Sequence, residues 1–246
     1  MAFRILWKNW HKIANLSASS QNEYYPVAFL LNQIPTLVHR TTGVNLEWWK
    51  WDLGAARDIR YFIFWNHNFS HNASINLQAN SIDSWESPAV NVSVDWMTEK
   101  IVKIFETINS YRWWRLVVQD SGNSNGYLQG GFAFLGDFLE TSRYFSEILL
   151  TDIDPSKLIE SDDGQMSAVI KSKYWIKKYE FEGLSENDII ALREAFNYLG
   201  KANSFFIHEN SNNDDSILYV KTNSDWSYSY VYKNYFNFTL SVEKMR

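Results

Sequence analysis

The stretch WNHNFSHN, residues 65–72, sets His67 and His71, two of the five histidines, four residues apart. On a helix that spacing would put both imidazoles on one face, and a third ligand would complete a zinc site. The context is not helical. An apolar run, Tyr61–Trp65 (YFIFW), leads into it, and asparagines with a serine are turn chemistry. No glutamate directly follows His67, as the helix of a zinc protease requires. The two histidines are read as part of a polar loop leaving a strand, and no metal is expected.

Asp120–Gly126 (DSGNSNG) has the oxygen-rich look of a calcium loop. Aligned on Gly126, it offers Ser121, Asn123 and Asn125 as ligands and Phe132 where the twelfth-position glutamate should stand. Without charge to hold the ion, it is read as a structural turn. The pairs Asp162-Asp163 and Asp214-Asp215 could do acid–base work only if they faced each other across a cleft. Side by side in Gly/Ser/Asn-rich surroundings, they read as solvated loop residues. No Gly-x-Ser-x-Gly elbow and no phosphate-binding glycine loop occurs. The chain is read as a non-enzyme without a cofactor.

Tryptophan offers more. In Trp48-Trp49-x-Trp51 a strand would place Trp49 and Trp51 on one face and Trp48 on the other. One face must be core; the other can stack sugars or meet a partner, since indoles suit both. The sequence leaves open which face is which. Trp48, Trp49 and Trp85 are therefore the candidate ligand or partner contacts.

The chain has 246 residues, 46% hydrophobic and 21% charged, which is a folding composition with room for one large or two ordinary domains. Trp 12, Tyr 14 and Phe 16 make more rings than small cores usually use, so some should lie at binding surfaces. The net charge of -5, with no basic run, argues against nucleic acid. Without cysteine there are no disulfides and no thiolate sites. The amino-terminal MAFRILWKNWHK lacks the apolar centre of a signal peptide, and no apolar run nears the ~20 residues of a membrane span. The expectation is a soluble protein made in a cytoplasm, without membrane insertion.

Short apolar runs separated by turn-rich stretches fill the first ~140 residues and predict a β-sandwich or jelly roll. Examples are YFIFW, Ala73–Gln78 (ASINLQ), Trp114–Val118 (WRLVV) and Phe132–Leu135 (FAFL). The polar stretch Asp152–Gln165 makes 146–165 the expected linker between a domain at 1–145 and another at 166–246. The latter reads as α+β with one prominent helix. Ser185 is its N-cap, with Asp188 as capping-box partner and Leu184 and Ile189 as a hydrophobic staple. Ile189, Leu192, Phe196 and Leu199 form its apolar face, and Gly200 ends it.

An ordered set of motifs resembles the discoidin-like (coagulation factor 5/8 type C, galactose-binding-like) domains. Ala14–Ser20 (ANLSASS) and Pro26–Leu31 (PVAFLL) come first, then Arg40–Gly43 (RTTG), Trp51–Gly54 (WDLG), YFIFWNHN, Trp113–Leu116 (WWRL), and Gly126-Tyr127 with Gly130 and Gly136. They span roughly residues 3–140. The whole chain also resembles tail proteins of long-tailed bacteriophages, in which such a domain precedes a smaller α+β domain. Here the second carries Tyr174–Phe181, the capped helix, Ser204–His208 (SFFIH) and a closing LSVE.

The resemblance implies a mainly β fold, a discoidin-like sandwich followed by the α+β domain. It implies a structural minor tail or baseplate protein of the virion, made in the host bacterial cytoplasm. Its partners would be other tail proteins and its own copies, as a trimer or hexamer. The rival expectation is a carbohydrate-binding module for a host-surface glycan, with Trp48 or Trp85 as stacking platforms. The family offers no catalytic residues to carry over.

Overall fold

Alternation from Glu47 and the apolar run ending at Trp65 belong to one strand, Glu47–Trp65, in the computed structural model, which describes residues 2–160 and 162–245. Its first part pairs antiparallel with a second long strand, Lys100–Gln119, in the register Trp49↔Leu116 and Trp51↔Trp114. Its last part lies between the start of that strand (Phe62↔Lys103) and Phe132–Glu140 (Phe62↔Leu135). In between, the register shifts twice, from Asp52 to Arg57 and from Ile59 to Tyr61. Gly54 takes φ 72 there and donates its N–H to the Asp52 carboxylate at 2.9 Å, a turn that a side chain at this position would resist. Both long strands therefore cross from one layer of a β-sandwich to the other.

Asn15–Ala18, Ser74–Asn80 and Val90–Ser93 complete the first layer. The layers meet through aromatic rings, Trp49 on Phe64 (centroids 4.9 Å) and Trp51 on Phe62 (5.6 Å), in a core that also holds Trp114, Leu116 and Leu77. Two buried histidines serve these indoles. Trp51 donates its Nε1–H to His11 Nδ1 and Trp49 to His39 Nδ1, both at 2.8 Å. Desolvation pulls both imidazoles down to about 4, so each is neutral and can accept. The pairing lets two large rings be buried without an orphaned N–H.

The chain divides into two compact units, Leu6–Phe138 and Met1–Ile5 with Leu139–Arg246. The second is α+β. Its strands run in the order Glu147–Ile153, Tyr174–Leu184, Tyr235–Lys244, Ile217–Thr222 and Ser204–His208, with Ser227–Tyr232 also beside Tyr235–Lys244. The helix, Glu186–Leu199, has both hydrogen bonds of a Ser185/Asp188 capping box, and Gly200 follows at φ 56. It buries Ile189, Leu192, Ala195 and Leu199; Phe196, expected inward, is only half-buried and packs on Trp226 at 5.4 Å.

The stretch 146–165, expected to be a linker, differs from that reading. Glu147–Ile153 pairs with Tyr174–Leu184 residue for residue, from Glu147↔Glu180 to Ile153↔Tyr174, and Lys157–Glu160 pairs with Met166–Val169. Pro155 and Gly164 (φ 79) punctuate turns between strands instead of a spacer. Among the described residues no helix is long and apolar enough to cross a membrane.

Candidate functional site

At the end of strand Glu47–Trp65, Asn66 turns the chain at φ 58, and its side chain donates to the Pro35 carbonyl at 2.8 Å. Asparagine tolerates that left-handed backbone better than other side chains. His67 is buried against this turn. Its Nδ1 accepts the Phe69 N–H at 3.1 Å and its Nε2 donates to the Met97 carbonyl at 3.0 Å. Burial depresses its pKa, opposed by backbone carbonyls and Asp120. His71 is exposed. Four apart in sequence, the two imidazoles serve different ends: one closes a turn, the other faces solvent.

The Asp120–Gly126 turn is spoken for in the same way. Asp120 is buried and accepts the Ser70 N–H at 2.8 Å and the Asn123 amide at 2.9 Å. Burial would raise its pKa, but these donors together hold it below the ordinary carboxylate range. Its oxygens tie two loops together and are not free for an ion.

The tryptophan candidates lie on the first layer. Strand alternation sends Trp49, Trp51, Leu53 and, on the neighbouring strand, Trp114, Leu116 and Val118 into the core. It sends Trp48, Lys50, Asp52 and Trp113, Arg115, Val117 to the outer face. Trp49 is therefore corrected as a contact candidate. It is fully buried, bonded to His39 and packed on Phe64. Trp48 and Trp85 are half-buried and remain available, joined by Trp113, which sequence reasoning did not single out.

Register sets this face out in rows. Ser17, Lys50, Arg115, Gln78 and Asn91 are successive cross-strand partners, as are Asn15, Asp52, Trp113 and Asn80. The Lys50 ammonium lies between two indoles, 5.6 Å from Trp48 and 5.3 Å from Trp113, and is 2.7 Å from Asp83. Asp83 also accepts the Trp85 Nε1–H at 2.6 Å. Burial works against the Asp83 charge, but Lys50 and Trp85 outweigh it and depress its pKa.

Arg115 lies 4.4 Å from the Trp85 ring and donates Nε and Nη2 to Gln78 Oε1 at 3.0 and 2.7 Å. Arg112 forms a bidentate pair with Asp52 at 2.6 and 2.8 Å, which is the main cause of the lowered Asp52 pKa.

The result is three partly exposed indoles, each braced by a cation, among side-chain amides and carboxylates. Such a surface can stack the apolar face of a ring while amides and charged groups bond its hydroxyls. The missed residues had a signal. In both Trp48-x-Lys50-x-Asp52 and Trp113-x-Arg115 the polar set alternates with an apolar set, which marks the outward face.

No family model matches the chain, and no curated protein matches it either. Among solved structures, it is similar to the lectin domain of lectinolysin complexed with Lewis B antigen, at 14% identity and TM-score 0.44, covering 52% of this chain and 95% of that one. It is similar to CpGH89CBM32-5 of Clostridium perfringens in complex with GalNAc-beta-1,3-galactose (10%, TM-score 0.44, 53% of this chain and 100% of that one). A Streptococcus pneumoniae fucose binding module, SpX-3, matches at 12% and TM-score 0.44, over 54% of this chain and 99% of that one.

Proposed function

We propose that the Leu6–Phe138 unit is a non-catalytic carbohydrate-binding module that holds its glycan on the outer face of the first layer. The observation that carries this reading is the set of half-buried indoles, Trp48, Trp113 and Trp85, fixed by Lys50, Arg112 and Arg115 among the amides of Gln78, Asn80 and Asn91. Sugars present both a C–H face and hydroxyls, and this surface offers a partner for each. A glycan panel is expected to return binders, and Trp48→Ala or Trp85→Ala to weaken them by roughly tenfold to a hundredfold, as truncating a central aromatic anchor does. Binding that is indifferent to both substitutions would sink the assignment to this face.

A second reading concerns the other unit: a structural part of a phage tail or baseplate, assembling as a trimer or hexamer with other tail proteins in the virion. The feature favouring it is the apolar surface of its first strands. Ile148, Leu149, Leu150, Leu158 and Ile159 are all exposed. Monomers seldom expose such a patch, and a two-stranded ribbon such as Lys157–Glu160 with Met166–Val169 is marginal in water without support. Light scattering over a concentration series is expected to give a stable oligomer, and Leu149→Ser with Leu158→Ser to lower its mass. A wild-type chain that stays monomeric at every concentration would count against self-assembly. The two readings are compatible, since a tail protein can carry a glycan-binding unit.

A further inference from the structure

Lys50 and Arg115 are direct cross-strand partners at the centre of the outer face. Like charges in opposed positions destabilise a sheet, so such a pair is unusual unless something else accounts for it. The surroundings compensate it only in part. Arg112 has its own carboxylate, Asp52, on both oxygens. Asp83 is bound to Lys50, while Arg115 donates to Gln78, a neutral acceptor, and feels Asp83 only at longer range. Asp52 also acts on Lys50, so three cations, Lys50, Arg112 and Arg115, face two carboxylates, Asp52 and Asp83, in a chain whose net charge is -5.

Resting on the carbohydrate reading above, we propose that the glycan bound here is acidic, and that its carboxylate docks on Arg115 beside Lys50. Gln78 and the Trp85 ring hold the guanidinium in place, with Gln78 Oε1 taking Nε and Nη2. A guanidinium has five N–H donors, so its Nη1 end is left for a second acceptor. A planar carboxylate fits that end with charge-assisted bonds. Asp83 supplies a precedent on this same face, with one oxygen on Lys50 and the other on the Trp85 indole N–H. The sugar ring stacks on Trp48 or Trp113, whose indoles flank Lys50.

The test uses the full chain and matched neutral and acidic oligosaccharides, lactose against sialyllactose and galactobiose against digalacturonate. The acidic member of a pair is expected to bind roughly tenfold tighter or more, with a preference that shrinks as salt rises. Arg115→Gln should bring the acidic-to-neutral ratio towards one, while Arg115→Lys, which keeps the charge, should retain part of it. Melting temperatures of the variants close to the wild-type value establish that they are folded. Neutral and acidic members binding alike would overturn the acidic assignment and leave the carbohydrate reading standing. An acidic preference that survives Arg115→Gln would overturn the docking position. Absence of binding to every member would overturn both the acidic assignment and the carbohydrate reading.

Discussion

Replacing Trp51 by alanine is expected to destabilise the sandwich by about 3–5 kcal/mol, the usual cost of removing a large buried ring. Trp51 is fully buried, packs on Phe62 from the opposite layer and supplies the N–H that His11 accepts. The substitution opens a cavity between layers and removes the donor facing His11 Nδ1. Trp51→Phe separates the two effects. Most of the ring volume stays, and the unsatisfied imidazole nitrogen should account for about 1–3 kcal/mol. Trp48→Ala, on the outer face of the same strand, should stay within about 0.5 kcal/mol, as surface substitutions do. Chemical denaturation of the three variants checks the order. Equal losses for Trp48→Ala and Trp51→Ala would contradict the facing of this strand.

The second large effect is a loss of stability in mild acid. His11 and His39 are held near 4 by burial, whereas in the unfolded chain they return to about 6.5. Between those values the unfolded chain binds more protons, so stability is full above about 6.5 and declines as pH falls towards 4. At about 1.4 kcal/mol per pH unit, each histidine should contribute a loss of roughly 2 kcal/mol by pH 5. Asp52 and Asp120, whose pKa values are lowered, contribute their losses only as pH falls through and below about 4, so the interval from 6.5 to 5 belongs to the histidines. Urea titrations at pH 7.5, 6 and 5 should show the fall, and a flat profile across them would mean that the buried imidazoles can take up protons without penalty.

Local features were the ones legible in the sequence. The helix is written in neighbouring residues: Ser185 and Asp188 cap it, Ile189, Leu192 and Leu199 face inward, and Gly200 ends it. The sandwich was legible as a class because its strands alternate or run apolar between Asn- and Gly-rich turns. The 146–165 stretch was not. Glu147–Ile153 is exposed on both faces, so it has no alternation to read, and its partner lies beyond a further hairpin at Tyr174–Leu184.

The candidate site was half legible for a related reason. Tryptophans at 48, 49 and 51 could satisfy either facing, and a one-residue slip exchanges core for surface. That Lys50, Arg115 and Gln78 share a row depends on pairing between strands far apart in sequence. The part played by Asp83 depends on how the loop carrying it folds back to Lys50.

The way the two long strands are shared between layers bears on synthesis. Besides Asn15–Ala18, Glu47–Trp65 finds its partners at 100–119 and 132–136, so neither layer can be completed from the first half of the unit alone. At roughly 5–20 residues per second, a ribosome would leave the early aromatic segment with only Asn15–Ala18 to pair with for several seconds before its other partners emerge. During that interval Trp49, Trp51, Phe62 and Phe64 form an apolar segment without most of its sheet, the kind of nascent chain that chaperones bind. Closure of long loops then makes folding of the released unit slow, on the millisecond-to-second scale of non-local β topologies.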